Sequence, residues 1–306
     1  MKQLAIVIPA YKAQFLPKVI ESLCKQTCKK FHVYIGDDCS PENISSIVGK
    51  YTDTINISYV RFSTNMGGQD LVAQWNRCID MVQDEEYIWF FSDDDVADPQ
   101  CVELFYNEIE KNGKKDLYRF QTDIIDENGN HIYPNDYPQN DYPQVMTADE
   151  YIIKRFTYKI SSFIVEYIFR RERFEEVGRF QNFDLAWGSD DATWFKMALR
   201  DGINIIDGAR VHWRLSGFNI SPNVSESILL RKLDAQLNYM NFITNNASYS
   251  FKLEIARFNY WLHIVHVAGK YLDTKKLFPY LDRYENYFGK NIIGKLIIKT
   301  IVWLKI

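Results

Sequence analysis

The sequence predicts an α/β fold: a mostly parallel sheet flanked by helices, with a helical extension at the C-terminal end. Three observations lead there. In the first third, short apolar runs rich in β-branched and aromatic residues alternate with amphipathic helical stretches. Clusters of aspartate stand at the ends of two of those runs, where the chain turns toward a new helix. Beyond residue 221 the pattern becomes nearly continuous helix.

Taken in order, strands are expected at 4–8, 32–36, 57–62 and 87–91, with helices between them at 15–27, 41–51 and 69–83. Pro99 opens a further helix over 100–112, because the first turn has no use for the N–H that proline lacks. Residues 116–133 become strand-like again, with Asp126-Glu-Asn-Gly129 as the turn between two runs. Residues 133–145 carry three Tyr-Pro pairs and no apolar periodicity, so they read either as a flap over a site or as a surface linker. A helix at 148–156, a strand around 163–169, a helix at 192–200 and a strand at 203–206 complete a first domain, residues 1–221. Helices near 225–245, 251–271 and 274–288 make up a second region, residues 222–306.

With 306 residues, 46% of them hydrophobic, the chain is long enough for one large core, or one core and a smaller appended domain. A net charge of −4 offers no general attraction to nucleic acid, which is excluded as a partner, so any anionic ligand must be held by local groups. The five scattered cysteines lack metal-binding spacing and fit the reduced thiols of a cytosol. The opening apolar run is too short for a signal sequence and reads as a strand. Residues 289–306 contain four lysines and no acid; on a helix the lysines fall on one half, with Ile293, Leu296, Ile297, Trp303 and Leu304 on the other. That pattern suits a helix lying on a membrane surface, the alternative being a terminal helix packed on the core. The expected location is cytoplasmic, with peripheral contact to the inner membrane face.

The strongest chemical signal is Tyr87-Ile-Trp-Phe-Phe-Ser-Asp-Asp-Asp-Val-Ala-Asp-Pro99, an apolar strand that delivers three consecutive aspartates to its carboxyl end. Adjacent carboxylates repel unless a cation holds them, and hard oxygen ligands suit Mg²⁺ or Mn²⁺ bridging a diphosphate. A solvated acidic turn before the next helix is the plain alternative. Asp37-Asp38 follows another strand in the same way, and open α/β sheets bind ligands at those ends. Neither a GxGxxG loop nor a GxxxxGK loop closed by Ser or Thr occurs, which argues against a dinucleotide enzyme or a P-loop phosphotransferase.

These residues resemble the GT-A fold glycosyltransferases of family 2. The likeness is carried, in family order, by Ile6-Val-Ile-Pro-Ala-Tyr11, Asp37-Asp-Cys-Ser40, Asn65-Met-Gly67, Ser92-Asp-Asp-Asp95 and Gly188-Ser-Asp-Asp191. It implies an inverting transfer of a sugar, with a UDP-sugar favoured as the nucleotide-diphosphate donor, to a hydroxyl of a saccharide or lipid-linked saccharide acceptor in cell-surface polysaccharide or lipid-linked oligosaccharide synthesis. It further implies that Pro9, Ala10, Tyr11, Asp38, Asn65 and Asp93 bind the nucleotide sugar, Tyr11 against the base and Asp38 at its imide N–H. Asp94 and Asp95 are the implied ligands of Mn²⁺ or Mg²⁺, Asp191 the general base, and Arg214 a fork on the diphosphate. His212 reads as a further metal ligand or as an ordinary packed histidine. The chain departs from the family at Gln74-Trp75-Asn76, where a phosphate-contacting Ala-Arg-Asn is common. The competing readings are a catalytically inactive sugar- or nucleotide-binding member of the fold and a sugar nucleotidyltransferase; Pro9-Ala-Tyr-Lys12 lacks the glycine-rich loop expected of the latter.

Overall fold

The computed structural model describes residues 3–133, 143–217 and 223–288. Residues 134–142 of the expected flap or linker at 133–145, and the basic tail at 289–306, lie outside those residues. The chain begins with β1 (Leu4–Ala10), α1 (Leu16–Cys24), β2 (Phe31–Asp37), α2 (Ile44–Val48), β3 (Ile57–Arg61), α3 (Leu71–Ile79) and β4 (Tyr87–Phe90), the alternation that the apolar runs predict. These four strands are parallel in the order β3-β2-β1-β4.

The next part is more irregular than the sequence pattern suggests. It comprises β5 (Val96–Ala97), α4 (Cys101–Asn112), β6 (Leu117–Ile125), β7 (His131–Tyr133), β8 (Val145–Met146), α5 (Ala148–Phe156), β9 (Tyr167–Arg170), α6 (Arg171–Glu176), α7 (Ser189–Asp201) and β10 (Ile203–Arg214). β9 inserts antiparallel between β4 and β6, so the sheet continues as β9-β6-β10-β5. β10 is three times the expected four residues because it resumes after an irregularity between Ile206 and Arg210. Its distal half pairs with β5 and reaches back to the aspartates that follow β4.

Alternate residues of β1 serve two cores. Leu4, Ile6 and Ile8 join α1, α2 and α4 on one face, whereas Ala5 and Val7 join α3, α5 and α7 on the other. The helices α8 (Glu226–Asn246), α9 (Phe251–Gly269) and α10 (Thr274–Phe288) extend that second core through Leu237, Tyr239, Trp261 and Leu277. All five cysteines are free thiols. No described helix is long and apolar enough to cross a membrane.

Candidate active site

The carboxyl ends of β1 and β4 form one wall of a cavity of about 290 Å³, lined by Pro9, Ala10, Tyr11, Lys12, Asp38, Asp93 and Asp94. Asp93 closes the gap between the strands: its Oδ2 accepts the backbone N–H groups of Tyr11 and Lys12, both at 2.8 Å. Tyr11 is thereby held in place, 42% exposed as a residue. Lys12 Nζ stands 3.8 Å from Asp93 and 3.7 Å from Asp94, a cation that directly follows Tyr11 and belongs to none of the motifs above.

Asp38 organises the opposite side. Its Oδ1 accepts from Met66 N and Arg77 Nη2, both at 2.7 Å, and its Oδ2 accepts from Gly67 N at 2.8 Å. A carboxylate oxygen has two acceptor positions, so Oδ2 keeps one for a ligand. Gly67 is needed for this approach, since a Cβ there would lie 2.8 Å from Asp38 Oδ2. Asn65 takes a supporting position: its Oδ1 accepts from Gly68 N at 2.8 Å and shapes the loop that Asp38 binds. Asp37 is structural, accepting from Ser40 N, Tyr59 and Arg61.

The aspartate triplet divides into three environments. Asp94 faces the cavity, with Ser216 Oγ 3.3 Å from its Oδ2. Asp95 is fully buried: Oδ1 accepts from Arg214 N at 2.9 Å, and Oδ2 has no close hydrogen-bond partner among the described residues. Burial and the neighbouring Asp94 charge push the Asp95 carboxyl well above the ordinary range. The donor set suits a divalent cation at Asp94, whereas Asp95 lies behind the wall and lines no cavity described here. Arg214 also differs from expectation. It is 1% exposed, its Nε donates to Asp94 O and its Nη1 to Asp126 O, both at 2.8 Å, and its guanidinium lies over the Phe15 ring. It therefore braces the aspartate loop and lines no cavity described here.

A second cavity of about 420 Å³ adjoins the first, with Leu71, Trp75 and Ile164 lining both. At its floor α7 begins. Gly188 caps the helix with φ +79°, and a Cβ there would meet the Tyr239 ring at 2.9 Å. Leu185 and Ala186, just ahead, also adopt left-handed φ, and both line the cavity. Such strain persists only where the surroundings impose it. Asp190 and Asp191 both line this cavity, in the first helical turn, where the dipole favours negative charge.

The two carboxyls are not equivalent. Asp191, the expected base, accepts from Tyr151 Oη at 2.7 Å, Arg155 Nε at 3.0 Å and Arg155 Nη2 at 2.6 Å. Two N–H groups of Arg155 thus converge on Oδ2, and Tyr151 holds Oδ1. Asp190 has no such cation. Burial and then the Asp191 charge push its carboxyl up to about 7, the range suited to a base working near neutrality. Tyr151 and Arg155 lie on α5, some 36 to 40 positions away from Asp191, and nothing in the local sequence announces them.

The profile of Glycosyl transferase family 2 matches residues 5–177, more than half of the chain. The chain belongs to glycosyl transferase family 2. The expected family and GT-A fold are thus borne out. An uncharacterized glycosyltransferase of Haemophilus influenzae is 32% identical over 111 residues, 36% of this chain and 35% of that protein. The poly(ribitol-phosphate) β-N-acetylglucosaminyltransferase TarS of Staphylococcus aureus is 28% identical over 106 residues, 33% of this chain and 18% of TarS. These alignments therefore span about a third or less of the relatives' own length. Among solved structures, S. aureus TarS 1-349 in complex with UDP-GlcNAc superposes with a TM-score of 0.61 at 16% identity, covering 99% of this chain and 92% of that one. The mannosyltransferase PcManGT of Pyrobaculum calidifontis, in complex with GDP-Man and Mn²⁺, gives 0.54 at 12% identity, covering 97% and 87%. At such identities the superpositions speak for the fold of this family 2 member.

Proposed function

We propose that this protein is an inverting, metal-assisted glycosyltransferase that moves a sugar from a UDP-sugar to a hydroxyl of a saccharide or lipid-linked saccharide. The observation that carries the reading is the pair of adjoining cavities: one presents Tyr11, Asp38 and Asp94, the other a carboxyl at Asp190 with its affinity for protons raised. In the first, the exposed Tyr11 ring offers a face for the base, and the spare acceptor position of Asp38 suits an imide N–H. Asp94 would hold the divalent cation, which supplies charge neutralisation for the departing diphosphate. Lys12 adds a fixed positive charge beside it.

In the second cavity, the acceptor hydroxyl gives its proton to Asp190 as its oxygen forms a bond to the anomeric carbon. The bond from that carbon to the β-phosphate oxygen breaks, and the nucleoside diphosphate leaves. Attack opposite the leaving group inverts the anomeric centre. Arg155 and Tyr151 fix Asp191 beside Asp190, and its charge raises the affinity of Asp190 for protons. Trp75, Trp187 and Trp213 line the cavity and offer flat apolar faces suited to a sugar ring.

The test is a donor screen: the purified protein with Mn²⁺ and a panel of UDP-, GDP- and dTDP-sugars, read by nucleotide release. Release from a UDP-sugar is the expected result, and binding without turnover across acceptors would favour an inactive binding protein instead. The segment 289–306 is proposed to reach a membrane surface, on the basis of its composition alone. Its deletion is expected to abolish sedimentation with anionic phosphatidylglycerol vesicles at low salt and to leave the melting transition in place. Loss of cooperative melting would mean a core helix.

A further inference from the structure

We propose that Asp123, His131 and His212 form a second metal site, for zinc, separate from the donor site. Asp123 lies on β6, His131 on β7 and His212 on β10, and one ligand atom from each falls within 4.8 Å of the others. His131 Nδ1 is 3.6 Å from Asp123 Oδ2, and His212 Nδ1 is 4.0 Å from the same oxygen. Donors placed 2.0–2.2 Å from a tetrahedral zinc stand about 3.3–3.6 Å apart, so small side-chain rotations close the set. Two imidazoles with one carboxylate favour zinc over Mg²⁺ or Mn²⁺, which prefer oxygen.

The surroundings are those of a prepared ligand rather than of chance neighbours. His212 Nε2 lies 2.9 Å from Asp98 Oδ1. An Nε2–H donated to that carboxylate leaves the Nδ1 lone pair directed toward Asp123, the carboxylate–histidine–metal arrangement. Asp98 is further fixed by Arg210 N at 2.9 Å. Arg210 pairs with the other oxygen of Asp123, Oδ1, and also donates to Gln121 Oε1, so Oδ2 remains the oxygen facing the histidines. The side chain of His131 is 57% exposed, which provides an entry path and a fourth position for water. None of the three lines the donor or acceptor cavity. A metal here would staple the β6–β7 hairpin to β10. The same hairpin supplies the carbonyl oxygens of Asp126 and Glu127 that hold Arg214.

The test uses full-length protein stripped of metal with a chelator, then titrated with Co²⁺ to read tetrahedral visible bands, and with Zn²⁺ against a chromophoric competitor. One equivalent is expected to bind, with the melting temperature rising in Zn²⁺. His131→Ala, at a position whose side chain is 57% exposed, is expected to weaken zinc binding at least about 10-fold and to remove the thermal shift. Asp98→Asn is expected to weaken binding about 10- to 100-fold by freeing the His212 ring. Asp94→Ala is expected to bind zinc as the parent protein does. Zinc affinity in His131→Ala within about twofold of the parent, or failure of the parent to bind one equivalent, would overturn the proposal.

Discussion

Replacing Asp190 with asparagine is expected to lower kcat by about 100-fold or more while donor affinity changes less than about twofold, as for loss of a positioned general base. The checks are transfer kinetics and calorimetry with UDP in Mn²⁺. In the parent protein kcat/KM should rise as pH passes through about 7, because only the ionised Asp190 accepts a proton, and the variant should lack that limb. Stability gives an independent reading. A carboxyl whose affinity for protons is raised by folding costs stability above its unfolded pKa, and the cost grows until its folded pKa is passed. Asp190→Asn should therefore melt higher than the parent at pH 8 and lose that advantage near pH 4. Asp191→Asn should behave oppositely, losing on the order of 3 kcal/mol because Arg155 is left without its carboxylate. If Asp191→Asn keeps its melting temperature and suffers the larger fall in kcat, Asp191 is the base.

Asp94→Ala is expected to remove Mn²⁺-dependent binding of UDP, measured by calorimetry, because the diphosphate loses the one carboxylate of the triplet that both faces the cavity and, among the described residues, accepts no backbone N–H. Asp93→Ala should fail differently. It frees the backbone of Tyr11 and Lys12 and should weaken nucleotide binding with or without metal. Undiminished UDP affinity of Asp94→Ala in Mn²⁺ would transfer the ligand role to Asp95 and would require that buried carboxyl to become accessible.

The parallel half of the sheet was legible because each buried strand is a continuous apolar run and each covering helix has one apolar side. The second half was less so. Asp207-Gly208 reads as the end of a strand, yet β10 continues beyond it to Arg214. β5 has two residues and α6 six, too few to show a period, and β9 takes its place by antiparallel pairing that no local pattern encodes. In the site, residue type and position at strand ends disclosed the carboxylates. Discriminating between neighbours such as Asp190 and Asp191 needed the partners that α5 brings from a distance, Tyr151 and Arg155. Arg214, which the resemblance placed on the diphosphate, holds carbonyls from two loops through Nε and Nη1, contacts that no local pattern announces.

The two cavities draw their walls from different stretches of chain. The first is built by β1, β2 and β4 ends and α3, whereas Gln236 of α8 and Tyr260 of α9 reach the second, joined by a 2.7 Å hydrogen bond. Trp187 donates to the same Gln236 at 2.7 Å, so the late helices also fix the strained approach to α7. On the proposed reading, substitutions in α8 and α9 should alter which hydroxyl compound is accepted and leave the lining of the first cavity in place. The reverse is not true, because Leu71 and Trp75 form a party wall. A lineage could diversify its products by drift in the last quarter of the gene, under a nucleotide pocket held constant by its own loops.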